Sequence, residues 1–127
     1  MRRVFLFHSK QWTLIAMLAM SAGAYAADLT PAQQAMVERG KDVVSRSLKD
    51  PSSAQWRGLY IRGIMLCGEV NAKNAYGGYV GFRRFYAVPM LPDDSKIESA
   101  DGDANTRAAF GHMCDESAGE RIDVPSQ

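Results

Sequence analysis

The chain predicts an α+β domain: an N-terminal helix, an antiparallel sheet of three to four strands, and a short C-terminal helix tied to the sheet by a disulfide. Three observations predict it. Thr30-Pro31-Ala32-Gln33 is a helix-start signature followed by apolar residues at three- and four-residue steps; beyond Pro51 the composition turns aromatic and β-branched, broken by glycines; and two cysteines, Cys67 and Cys114, follow the first 26 residues. The order helix, strands, helix predicts an antiparallel sheet covered on one face.

Met1 to Ala26 has the three parts of a secretory signal. Arg2, Arg3 and Lys10 supply positive charge, Leu14 to Met20 form a short apolar run, and Ala24-Tyr25-Ala26 places small residues at a cleavage site. A retained anchor needs roughly 20 continuous apolar residues, more than this run offers before Ser21, Ala22 and Gly23. The expected product is a single domain over residues 27–127, without a stable membrane anchor after cleavage. Cleavage removes three of the fifteen Lys and Arg and none of the fourteen Asp and Glu, which moves the formal charge from +1 to −2. That balance argues against nucleic-acid binding through bulk charge.

The first helix is expected from about Pro31 to Lys49. Thr30 caps it, Pro31 occupies the position where a missing N–H does no harm, and Gln33 completes a capping box. Met36, Gly40, Val43, Val44, Ser47 and Leu48 mark one stripe for burial. Pro51 ends the helix at or before Asp50. Strands follow over Ala54 to Arg62, Ile64 to Asn71 and Tyr79 to Val88, with a short edge strand at Lys96 to Ser99. Gly63 makes the first connection, and the Asn- and Gly-rich segment from Asn71 to Gly78 the second. A polar loop spans Pro92 to Asn105, a second helix of two to three turns runs from Asn105 or Thr106 to about Ser117, and the tail from Gly119 is expected to fray.

Export would place Cys67 and Cys114 in an oxidising compartment, where two thiols have one intramolecular pairing. A metal site or catalytic thiol finds little support, because His112 is the one histidine left after cleavage and there is no Cys-x-x-Cys. No metal, cofactor or catalytic set is expected. Asp101-Gly102-Asp103-Ala104-Asn105 begins like a calcium loop, but Thr106 stands where that loop needs glycine and His112 where it needs glutamate, so a solvated acidic loop is the better reading.

Two segments carry a resemblance. Asp50-Pro51-Ser52-Ser53-Ala54-Gln55-Trp56-Arg57, and the run Cys67-Gly68-Glu69-Val70-Asn71-Ala72-Lys73-Asn74-Ala75-Tyr76-Gly77-Gly78-Tyr79-Val80-Gly81-Phe82-Arg83-Arg84-Phe85, resemble a family of small exported proteins of Gram-negative bacteria. The resemblance spans Asp50 to Phe85, about a third of the chain. It implies a periplasmic or secreted setting and a surface that other molecules could meet, and it implies no activity.

Within that run, Asn71, Lys73, Asn74, Tyr76, Tyr79, Arg83 and Arg84 are the candidate binding residues. Residues 73–84 hold three cations and no acid. Turn chemistry alone would select Asn and Gly here; the functional reading is a loop-borne surface of aromatic platforms and cationic donors. Alternation puts Phe82, Arg84 and Tyr86 on one face and Arg83, Phe85 and Ala87 on the other, so one arginine lies on the side of a phenylalanine that wants burial. Either that face is only partly covered or a bulge at Gly81 re-aims the strand, and such an arginine can stack on a ring or pair with an acid such as Glu69. Three classes of function follow as expectations: a binding module for a protein or cell-envelope component, an enzyme inhibitor or immunity-type protein using the same loop as a plug, and a small cell-envelope hydrolase with Glu69, Asn71, Lys73 and Arg84 converging in a cleft.

Overall fold

A computed structural model describes residues 28–99 and 101–126, so the expected signal segment lies outside the described residues. Helix α1 spans Pro31–Ser45. Its start is the expected capping box, with the Gln33 backbone N–H donating to Thr30 Oγ1 at 3.3 Å and the Thr30 N–H donating to Gln33 Oε1 at 2.8 Å. The helix ends four residues before the expected Lys49. There the bonding tightens to i→i+3, with Ser47 N–H donating to the Val44 carbonyl and Leu48 N–H to that of Ser45. The buried stripe is Val37, Gly40, Val43 and Val44. At Gly40 the helix lies directly on the sheet: a Cβ would stand 2.6 Å from Leu66 Cδ2, and Leu66 is fully buried.

The sheet has five antiparallel strands in the order β4-β3-β2-β1-β5, where β1 is Gln55–Arg62, β2 Met65–Asn71, β3 Arg83–Ala87, β4 Lys96–Ile97 and β5 Arg121–Asp123. The fifth strand corrects the expectation of a frayed tail. Residues 121–123 pair with Tyr60, Ile61 and Arg62, and the Val124 N–H donates to the Leu59 carbonyl at 2.9 Å. Without them β1 would be a bare edge, with its donors and acceptors unmatched. Ile122 packs against the core, and the Arg121 guanidinium lies 3.8 Å over the Tyr60 ring. Gly58, at φ +58°, supplies the extra residue of a bulge in β1 between Arg57 and Tyr60. Arg62 pairs with Met65, which puts Ile64 in the turn after Gly63 rather than at the start of β2.

Both faces of the sheet are covered, a further departure from the expected arrangement. On one face α1 packs Val37 and Val44 against Leu59, Ile61, Leu66, Val70, Phe85 and Ala87. On the other lie Tyr60, Met65, Cys67, Tyr86 and Val88, under Phe110 and Cys114. That second layer is short: helix α2, Ala104–Phe110, followed by one π-helical turn, Gly111–Asp115. Asp103 caps α2, its carboxylate accepting the Thr106 N–H at 2.7 Å, a bond that holds its pKa below the usual value. The acidic loop therefore has a structural task at its last acid. Cys67 and Cys114 are joined, tying β2 to the π turn as expected. No described helix is long and apolar enough to cross a membrane.

Candidate functional site

The chain leaving β2 forms a hairpin whose turn is built by asparagine. Asn74 Oδ1 accepts the backbone N–H of Tyr76 at 2.9 Å and of Gly78 at 3.1 Å. The Asn74 N–H donates to the Gly78 carbonyl at 2.8 Å, and the Gly77 N–H donates back to the Asn74 carbonyl at 3.1 Å. Gly77 takes φ +81°, which a side chain would oppose. Four bonds thus fix a turn with Tyr76 at its tip, 97% exposed.

Below the tip, Lys73 and Tyr79 form a single bridge and the regular ladder resumes only at Arg83. The expected strand from Tyr79 is therefore shorter. Gly81, at φ +96°, leaves the extended region, and its N–H donates to the buried side chain of Asn71, at 2.9 Å to Oδ1, instead of to a backbone carbonyl. Asn71 Nδ2 donates to Gln55 Oε1. Both ends of the Asn71 amide are engaged inside the fold, so its part is to hold the hairpin base. Lys73 is held from behind: its N–H donates to Ser53 Oγ at 2.8 Å, and its ammonium stands 5.6 Å from the Tyr79 ring centroid.

Arg83 and Arg84 leave β3 in opposite directions. Arg84 faces the α2 layer and donates to Asp115 Oδ2 at 3.1 Å, not to its cross-strand neighbour Glu69. Glu69 is taken by Arg57, whose Nε lies 2.7 Å from Oε2 and whose guanidinium stacks 3.9 Å from the Phe82 ring. Of the two arginines expected to stack or pair, Arg84 pairs with an acid, Asp115 rather than Glu69, and the arginine that takes Glu69 and stacks on Phe82 is Arg57 on β1.

Arg83 instead lines a groove of about 360 Å³ between the end of α1 and the hairpin, with Leu48, Lys49, Ala72, Lys73 and Val80 among its walls. Of the candidate binding residues, the structure gathers Lys73, Asn74 and Arg83 here, and adds Lys49 from the turn after α1. Tyr76 stands at the hairpin tip and Tyr79 on its flank, whereas Asn71 and Arg84 are engaged elsewhere. Lys49 went unread in the sequence because it looked like the solvent face of a helix. The early end of α1 is what turns it toward the hairpin.

The residues named for a hydrolase cleft are brought together only in part. Glu69 and Arg84 border one depression of about 140 Å³, together with Gly58, Tyr60, Gly68, Phe85 and Cys114, while Lys73 lies in the other groove. His112, exposed on the π turn, bonds Glu116 Oε2 at 3.1 Å. Among the described residues no three His, Cys, Asp or Glu side chains gather where a metal could be held.

Tyr60 borders the smaller depression and gives a pH prediction. Its hydroxyl donates to Asp115 Oδ1 at 3.1 Å, and its pKa is raised, first by burial and then by the Asp115 charge. The folded chain therefore keeps this proton to higher pH than the unfolded chain, which releases it near pH 10. The contribution is complete below about pH 10 and is lost as pH rises through the folded value. Urea unfolding midpoints measured from pH 8 to 11 should fall on the alkaline side, and Tyr60→Phe should flatten that fall. An unchanged slope in the variant would assign the loss to other groups.

Comparison with known proteins gives no matching family model, no matching curated protein and no matching solved structure.

Proposed function

We propose that this chain is a small exported binding module, periplasmic or secreted, that engages a protein or cell-envelope component through the 71–84 hairpin. The observation that carries the reading is Tyr76, a large aromatic side chain 97% exposed on a turn whose backbone is held by Asn74. An aromatic residue on a preorganised turn binds without the ordering cost that a loose loop incurs. Tyrosine is also among the residues that most often dominate an interface. The signal-like N-terminus, the family resemblance and the disulfide support an exported setting. A convex tip of this kind also suits an inhibitor or immunity-type protein, in which it would enter a partner's cleft.

The test is capture from a Gram-negative envelope extract on the immobilised, disulfide-bonded chain, followed by titration of the partner identified. Tyr76→Ala should weaken that partner by roughly 30-fold, the size of a strong interface contact, with no change in thermal midpoint. Loss of the partner's enzymatic activity on titration would select the inhibitor reading. Equal capture by the parent, Tyr76→Ala and Lys73→Ala would defeat the hairpin proposal.

A further inference from the structure

The groove at the root of the hairpin has a chemistry separate from the aromatic tip. Lys49, Lys73 and Arg83 converge on it, and no carboxylate side chain lines it. Among the described residues none of the three forms an ion pair. Arg83 is the most telling. It is half-buried, and its Nε is buried with no hydrogen-bond acceptor. A buried donor without an acceptor is costly, and such donors are almost always matched. Arg62 Nε is likewise buried and unmatched, but its guanidinium also donates to the Asp115 and Ser117 carbonyls, whereas among the described residues the Arg83 side chain makes no hydrogen bond. Asp50, whose pKa is lowered chiefly by the Ser52 hydroxyl and in small part by Lys73, lies outside the groove lining and leaves Arg83 unmatched.

The framework around these cations is fixed. Ser53 anchors the Lys73 backbone, Gly81 is tied to Asn71, and β3 holds Arg83 in the sheet. Leu48, Ala72 and Val80 add aliphatic surface beside the charges. At about 360 Å³ the groove is within the range of small-ligand sites. Three positive charges of point and fork geometry against an aliphatic wall match a doubly charged group attached to a carbon skeleton better than they match a single carboxylate.

We propose that this groove binds a phosphomonoester, with the phosphate among Lys49, Lys73 and Arg83 and its carbon skeleton against Leu48 and Val80. A soluble sugar phosphate and a lipid with a terminal phosphate share this chemistry. The site shares Lys73 and Arg83 with the 71–84 hairpin but not Tyr76 at its tip.

The experiment is calorimetric titration of the purified, disulfide-bonded chain with glucose 6-phosphate, with glucose as the uncharged control. In a parallel arm the chain is sedimented with phosphatidylcholine vesicles carrying phosphatidic acid. Binding of glucose 6-phosphate without binding of glucose is expected if the source is soluble, and phosphatidic-acid-dependent sedimentation if it is lipid. In whichever arm binds, Lys49→Gln and Lys73→Gln should each weaken it about tenfold, as for loss of a charged hydrogen bond. Arg83→Gln should weaken it further; because Arg83 is half-buried, the two lysine variants carry the test if that protein misfolds. Tyr76→Ala should bind like the parent, which separates this site from the hairpin tip. The proposal is overturned if neither arm binds, if glucose binds as well as its phosphate, or if Lys96→Gln, on the edge strand beside β3 and outside the groove lining, weakens binding as much as Lys73→Gln.

Discussion

Replacing Cys67 and Cys114 together with alanine is expected to lower the free energy of unfolding by about 4 kcal/mol, the loop-closure value for this spacing. The two residues are 47 apart in sequence, so the bridge closes the later part of β2, all of β3 and β4, and all of α2 into one loop. Against a total of about 5–15 kcal/mol for a small domain, the loss is large. It should also be uneven. The α1 face keeps its core, whereas the second layer rests on Phe110, Cys114 and the partly buried Met113. Amide hydrogen exchange should therefore rise first across residues 104–115 and around Tyr86, whose ring meets Phe110 edge-on at 5.2 Å. Urea unfolding with and without reductant measures the total. A loss below about 1 kcal/mol would mean that packing alone holds the layer, contrary to the chain-entropy argument.

Phe85→Ala should cost about 3–5 kcal/mol, as for aromatic truncations in a closed core. Phe85 is 1% exposed in the middle of β3, and Trp56 meets its ring edge-on at 5.3 Å. Its cross-strand neighbours are Gly68 on one side and Ile97 on the other. Gly68 has no side chain with which to fill the void, and Leu59 already stands where its Cβ would be. Collapse around the cavity is thus limited, which favours the upper part of the range. Phe85→Leu should restore roughly half of the loss by filling part of the space. Thermal unfolding followed by Trp56 fluorescence measures both variants. A Phe85→Ala cost under about 1.5 kcal/mol would show that the core relaxes into the gap.

The parts of this fold visible in the sequence are those where one local rule acts without competition. The Thr30 capping box, the breaks at Pro51 and Gly63, and the pairing of Cys67 with Cys114 each depend on a few adjacent residues or on a count of two. The short tail strand was hidden because Arg121-Ile122-Asp123 has one apolar residue and gains its order from the open edge of β1, a partner some sixty residues away. The second covered face was hidden for a similar reason: Tyr60, Met65 and Tyr86 need α2 over them, and α2 is barely two turns long. At the hairpin, the density of Asn and Gly marked the turn. It did not show that Asn71 and Arg84 are bonded inward while Lys49 joins from the turn after α1, because those assignments depend on register and on where a helix stops.

The shared placement of the described chain ends has a practical consequence for presentation. Asp28 and Leu29 border the same cleft as Val124 and Pro125, at the N-terminal end of α1, whereas Lys49 and Lys73 stand at the other end of that helix. Fifteen helical residues put about 22 Å between them. A bead, dye or carrier coupled beside Asp28 or Pro125 would therefore sit about a helix length from the basic groove and leave it unobstructed.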